Sequence, residues 1–341
     1  MDRVGSAIID FTEAAYDLEV TDEEWLPTLL KRGLPVLEQG LGVAGYEYGR
    51  PPNGGPVQLM NVHVASGPED FAERHLRALS TTDPEVLREQ LRPGSATTGS
   101  EYSQDRPQDL AHYISHVDYC KDVLFLTAVD ARGAGVAVVA PLVEVTTLTD
   151  HEAKRWQMLA AHVETGHRLR RGLAGAHKGE ERCTDLPHDA EAIFDARSFR
   201  ISDAVGRAKE GTATTKLREA AVAVDHARGK LRNTDPDKAL EIWKALVRGR
   251  WSMVDWFDSD GRRFVLAIPN SPHVSDPRGL IERESQVVAY AVFGHTNKMI
   301  GYHLGLSTSR VSLHLRNAMR KLGARTRAQL VKKMRDFQSL A

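Results

Sequence analysis

The sequence predicts an α+β fold in three parts, the last of them all-helical. Three observations carry that prediction. Helical periodicity alternates with short β-prone apolar runs along the body of the chain. Polar stretches bearing Pro, Gly or Ser interrupt the pattern at 172–190 and 270–277. Charge is also uneven: residues 278–341 carry 12 Lys/Arg against 3 Asp/Glu, net +9, while the other 277 residues carry 33 basic and 43 acidic residues, net −10. The expected units are 1–171, 190–270 and 278–341. An acidic body with a basic end predicts that the end alone meets a polyanion.

In order, residues 6–40 read as helices, with Ile8, Ile9, Phe11, Ala15 and Leu18 and then Trp25, Leu26, Leu29, Leu30 and Leu34 at near-helical spacing. Thr21 or Asp22 caps the second. Two apolar runs around RPPNGGP predict a hairpin over 43–66. Residues 68–92 return to helical patterning, 93–100 read as a loop, and a short helix falls near 107–119. Two strongly apolar strands flank DARGAG, and a long helix follows, opened by the capping box Thr149-x-x-Glu152. In the middle unit AIFDA is a candidate strand. KLREAAVAVDHARGKL and DPDKALEIWKALVRGR read as helices, and WSMVDWFDSDGRRFVLAIPN as a hairpin turning at DSDG.

The order helix, hairpin, helices, hairpin, long exit helix, with the stretch FLTAVDARGAGVAVVAPLVEVTTLTDHE, resembles a GAF domain. That resemblance implies a sensor for a small-molecule or protein signal. The helices-then-hairpin order of the middle unit is similar to the end of a PAS domain in degenerate form, without most of the strands.

Leu280–Met334 predicts several short helices joined by tight turns. Helix one spans about 282–293, with Val287, Val288, Ala291 and Val292 inward and Gly294 stopping it. Helix two spans about 297–304, where Gly301 allows close approach and Gly305 makes the turn. Ser307 caps helix three, whose core positions are Val311, Leu315, Ala318 and Leu322. A helix, a short Gly turn and a helix make the helix-turn-helix pattern, whose second helix enters the major groove.

The run RExxVVxxAxxGxTNKxIGxxLGLSxSxVxxHLxNAxRKLGxxxRAxLV resembles the LuxR-type helix-turn-helix of bacterial transcription regulators without a gap over about 55 residues. The resemblance implies base contacts from Ser312, Leu313 and Arg316, with Arg316 suited to guanine O6/N7. It implies phosphate contacts from Lys298, Ser309, Arg310, Asn317, Arg320 and Lys321. It further implies pairing of two copies through Leu330, Val331 and Met334, the alternative being that these pack within one domain. Arg310 stands where the family usually has Thr, and Gly301 where it usually has Ala.

Other signals point nowhere specific. His112, His116 and Cys120 fall at i, i+4 and i+8, but no fourth metal ligand accompanies them. His162 and His167 are five apart and do not share a helix face. Cys120 and Cys183 form no CxxC pair. No GxxxxGK[ST] motif, phosphorylated receiver pattern or catalytic constellation is present. The expectation is therefore a cytoplasmic regulator that is no enzyme, needs no cofactor or metal and touches no membrane. It binds double-stranded DNA as a homodimer and answers a small-molecule or protein signal. The alternatives are control by a partner protein alone, or a sigma-like factor acting with RNA polymerase.

Overall fold

The computed structural model describes residues 3–49, 57–91, 95–130, 133–176, 184–270 and 280–338. The chain opens with α1 (Arg3–Ala15) and α2 (Asp22–Leu37), the latter capped by Thr21. Strands β1 (Val43–Gly49) and β2 (Gln58–Ser66) pair antiparallel; the expected turn at 50–56 lies outside the described residues. The helical stretch then breaks in two, α3 (Phe71–Thr81) and α4 (Pro84–Gln90), because Pro84 cannot continue a helix and Asp83 caps the second piece. A short edge strand β3 (Ser95–Thr98) occupies part of the expected loop 93–100. Small and hydroxylated residues gave it no apolar alternation, so only pairing with its neighbour selects the extended form.

Next come α5 (Gly99–Tyr102), α6 (Pro107–His116), β4 (Asp122–Val129), β5 (Ala134–Leu142) and the long α7 (Asp150–Ala176). The Thr149 hydroxyl accepts from the Glu152 amide (3.3 Å), while the Glu152 carboxylate accepts from the Thr149 amide (2.9 Å), closing the predicted box. Helix α7 runs past the expected boundary at 171. Strands β1–β5 form an antiparallel sheet ordered β2-β1-β5-β4-β3. Both faces of its centre are covered, so β4 is buried along its whole length. Leu124, Leu126, Val136 and Val138 face α1, α2 and α7, while Tyr46, Phe125, Ala137 and Val139 face the side of Phe71, Leu79 and Tyr113.

The middle unit contains β6 (Ala192–Asp195), β7 (Ile201–Ala204), α8 (Gly211–His226), a π-turn at 227–231, α9 (Arg232–Thr234), α10 (Pro236–Ile242), β8 (Trp251–Phe257) and β9 (Arg263–Pro269). Its antiparallel sheet is ordered β7-β6-β9-β8. Asp235 caps α10 by accepting from the Lys238 amide, and that helix ends at Ile242, well short of the predicted stretch to 250. Strand β7, exposed at three of its four residues and without apolar alternation, had no sequence signature.

One core joins the parts. The cluster built on α1, α2 and α7 continues through Phe194, Leu217, Leu240, Trp243, Trp251 and Val265, and takes in Met299 and Tyr302 near the C-terminus. Asn270, expected to begin a linker, is instead 4% exposed: its carbonyl accepts from Arg168 Nε (2.7 Å) and its amide donates to the Thr165 carbonyl (3.2 Å). Among the described residues no helix is long and apolar enough to cross a membrane.

Candidate nucleic-acid interface

The C-terminal part consists of α11 (Glu282–Val292), α12 (Asn297–Leu304), α13 (Thr308–Lys321) and α14 (Arg327–Gln338). Val287, Val288, Ala291, Ile300, Leu304, Val311, Leu315, Ala318 and Leu322 form its core. Gly294 ends α11 with a positive φ of 91°. The Thr296 hydroxyl caps α12 by accepting from the Met299 amide (3.2 Å), and Ser307 caps α13 by accepting from the Arg310 amide (3.3 Å). Gly305 closes α12 in the left-handed region (φ 61°, ψ 36°), where a side chain would be strained. A Cβ at Gly301 would stand 2.6 Å from the Leu306 carbonyl oxygen, so the tight turn here rests on the glycine found where the family usually has Ala.

The outer face of α13 is open. Ser309, Arg310, Arg316 and Arg320 are exposed, and Leu313 retains half its surface. No carboxylate pairs with Arg310, Arg316 or Arg320 among the described residues, so this face keeps its positive charge for phosphates and base edges. Ser312 and Asn317 are half-buried, and the Ser312 hydroxyl accepts from Asn297 Nδ2 (3.0 Å). Ser312 therefore reads a base only by exchanging that bond. Lys298 is exposed at the start of α12, beside a cleft described below.

Several residues matched on sequence serve the fold. Lys321 donates to Glu284 (2.6 Å), a carboxylate 3% exposed. Burial acts to raise the Glu284 carboxyl, but Lys321 and the Ile281 amide hold it below its ordinary value. Lys321 is thus committed to a buried acid, which competes with a phosphate for its ammonium. Arg327 donates to the carbonyls of Ala291 (3.3 Å) and His295 and to Asn297 Oδ1 (3.3 Å), tying α14 to the α11–α12 turn. Lys333 donates to the Leu322 and Gly323 carbonyls (both 2.9 Å) and so caps α13.

In the expected pairing set, Leu330 is fully buried inside its own domain's core, Met334 packs partly against that core, and Val331 is half-buried. Leu330 is consumed within one domain, so only Val331 and Met334 keep surface for another copy.

The rejected histidines have local duties. His112 and His116 both meet the Thr81 hydroxyl (3.1 and 3.2 Å), while the buried Cys120 thiol donates to the Val117 carbonyl (3.0 Å). Cys183 lies outside the described residues.

Sequence reading missed how firmly α11 and α12 sit on the rest of the chain. Leu246, from the segment after α10, completes the helical core. Gln286 donates to the Gly249 carbonyl (3.2 Å). On α7, His162 links Tyr16 (Nδ1 to Oη, 2.9 Å) and Tyr302 (Nε2 to Oη, 2.7 Å). Tyr302 in turn reaches the Leu240 and Trp243 carbonyls (2.7 and 2.9 Å). Tyr302 has one hydroxyl proton, which those carbonyls take, so it accepts from His162 Nε2–H and the Tyr16 hydroxyl donates to Nδ1. Burial depresses the His162 imidazole to about 3, consistent with this neutral tautomer.

A second buried group lies two residues along α7, at Glu164. Glu164 Oε1 accepts from Arg168 (3.0 Å) and from the Tyr290 hydroxyl (2.9 Å), and its other oxygen is 3.7 Å from His303 Nδ1. Burial pushes the Glu164 carboxyl up to about 7 against the pull of Arg168. His303, 1% exposed, is held well below its ordinary value by burial first and by His295 and Arg168 next.

A compact helical support, a capped helix with an unpaired basic outer face, and core-facing residues at the predicted spacing define a DNA-binding helix-turn-helix domain. Residues 279–334 match the family described as "Bacterial regulatory proteins, luxR family", and that segment is a LuxR-family regulator domain. No curated protein matches the chain. Among solved structures, the chain is similar to Escherichia coli SdiA at 9% identity, covering 95% of this chain and 94% of that one, with a TM-score of 0.32. SdiA in complex with octanoyl-rac-glycerol is 11% identical over 97% and 92% of the two chains, also at 0.32.

Proposed function

We propose that the chain is a DNA-binding transcription regulator in which a GAF-like N-terminal unit senses a signal and passes it through α7 to the helix-turn-helix. The observation that carries the reading is the open, unpaired basic face of α13 on a domain of the LuxR family. Supporting a small polar signal, the Tyr46 hydroxyl and His75 Nε2 are buried on the α3 side of the first sheet with no hydrogen-bond partner. Pairing of two copies would place two α13 helices about one duplex turn apart, on a near-palindromic site.

The test selects duplexes from a random pool with the full chain and compares the wild type with Arg316→Ala on the winner by fluorescence anisotropy. Arg316→Ala costs about 1–3 kcal/mol of binding and relaxes one base position. Selection of no duplex, or unchanged affinity in the variant, refutes the assigned docking. Sedimentation of the free chain and of the complex reports whether two copies act together.

A further inference from the structure

Three lysines from three parts of the chain meet at one cleft. Lys154 comes from α7, Lys244 from the segment after α10 and Lys298 from α12, and all line a cavity of about 330 Å³. Its apolar lining includes Met158, Met299, Leu306 and the Tyr302 ring. Lys244 Nζ lies 4.8 Å from the centre of that ring and donates to the Glu241 carbonyl (2.6 Å). None of the three lysines has a carboxylate within ion-pair distance among the described residues. Glu241, the carboxylate that lines the cavity, is 3.5 Å from Lys238. Burial holds the Lys244 ammonium below its usual range; Glu241 opposes that shift, while Lys238 and Lys154 add to it. Three ammonium groups against one carboxylate, Glu241, which also pairs with Lys238, leave an excess of positive charge over an apolar floor that an anion relieves. A concave, mostly apolar site with a few convergent charges is also the usual form of a small-molecule site.

We propose that this junction binds a small amphipathic anion, an organic carboxylate or phosphate. Its charged group meets Lys154, Lys244 and Lys298, and its apolar part lies on Met158, Met299 and Leu306. Because the walls belong to the long helix, the middle unit and the helix-turn-helix, the bound anion fastens α12 to its support. It also occupies Lys298, which the family resemblance gives to a DNA phosphate, so anion and duplex compete.

Phenyl phosphate is the probe, with inorganic phosphate and phenol as controls, titrated into the full chain by calorimetry. The expected result is saturable binding at least about tenfold tighter than either control. Lys154→Met with Lys244→Met keeps the apolar stems, removes two charges and weakens phenyl phosphate by about tenfold or more. Lys154→Met alone, at a half-exposed helical position, shifts binding in the same direction and guards against a folding defect. Bound phenyl phosphate slows amide exchange at Met299–Leu304. Equal binding by the double variant, equal binding of phenol, or no heat up to about 10 mM overturns the proposal. Weaker duplex binding by the double variant with no small anion present also overturns it, since the lysines would then follow DNA. Calorimetry without DNA separates failure here from failure of the DNA-binding reading.

Discussion

The imidazole of His162, on the long helix, donates to the Tyr302 hydroxyl of α12 over 2.7 Å, with both side chains buried. This bond joins residues 140 positions apart. Every group in the chain from Tyr16 to the Leu240 carbonyl is matched, so the helix-turn-helix sits in a defined place on the rest of the chain.

Tyr302→Phe removes the central hydroxyl and leaves His162 Nε2–H without its acceptor in a dry site. The expected cost is about 1–3 kcal/mol of stability. Urea unfolding of the full chain measures it, and faster amide exchange along α12 locates it. A variant as stable as the wild type would show that the chain of bonds contributes nothing.

Gly305→Ala acts by shape. Beyond the strain of the left-handed conformation, about 1 kcal/mol, its Cβ would stand 2.2 Å from the Leu246 carbonyl oxygen. Backbone cannot yield as a side-chain tip does, so the α12–α13 turn moves off the middle unit. Thermal unfolding at a lower temperature, together with loss of protection in the Leu246 segment, is the expected pair of results. Unchanged protection there would contradict the close docking.

Glu164→Gln separates two opposing pH dependences. His162 and His303 have folded values below the ordinary 6.5, so the stability they contribute is present above that value and drains as pH falls. Glu164 is raised from 4.5 to about 7, so its contribution is complete at low pH and fades as pH rises through that range. Arg168, Tyr290, His303, Asp130 and Tyr16 are charged or titratable groups bearing on it. Removing this acid leaves the histidines unopposed, and stability falls more steeply from about pH 7 to about pH 5 than in the wild type. Parallel curves for the two proteins would place the titration elsewhere.

Arg320→Ala and Lys321→Ala, neighbours on α13, part company. Arg320 is exposed and has no carboxylate partner among the described residues, so its loss weakens duplex binding evenly across sequences and reduces the salt slope by about one. Lys321 partners the buried Glu284, so its loss lowers stability by about 3–5 kcal/mol, the range for breaking a buried pair, reduced to the extent that water screens its partly exposed ammonium. Stability alone unaffected by Lys321→Ala would return that lysine to the phosphate-binding set.

The helix-turn-helix was legible because its signals are local. Ser307 and Gly305 punctuate the turn, and Val311, Leu315 and Ala318 repeat at the helical period, all within one short segment. The capping box at Thr149 and the hairpins of β4–β5 and β8–β9 were legible for the same reason. Strand β3 and strand β7 were not: β3 takes its extended form from β4, which is distant in sequence, while β7 is an exposed edge strand beside β6 with no apolar alternation to mark it. Nor could periodicity assign Lys321 to Glu284, Leu330 to the domain interior, or Asn270 to Arg168.

The sequence by itself determined that a basic helix is offered to a polyanion, because charge and periodicity are properties of consecutive residues. Only the tertiary structure decided what holds that helix in place. The His162–Tyr302 bond, the Leu246 insertion and the three-lysine cleft each depend on side chains far apart in the chain, and packing alone brings them within reach.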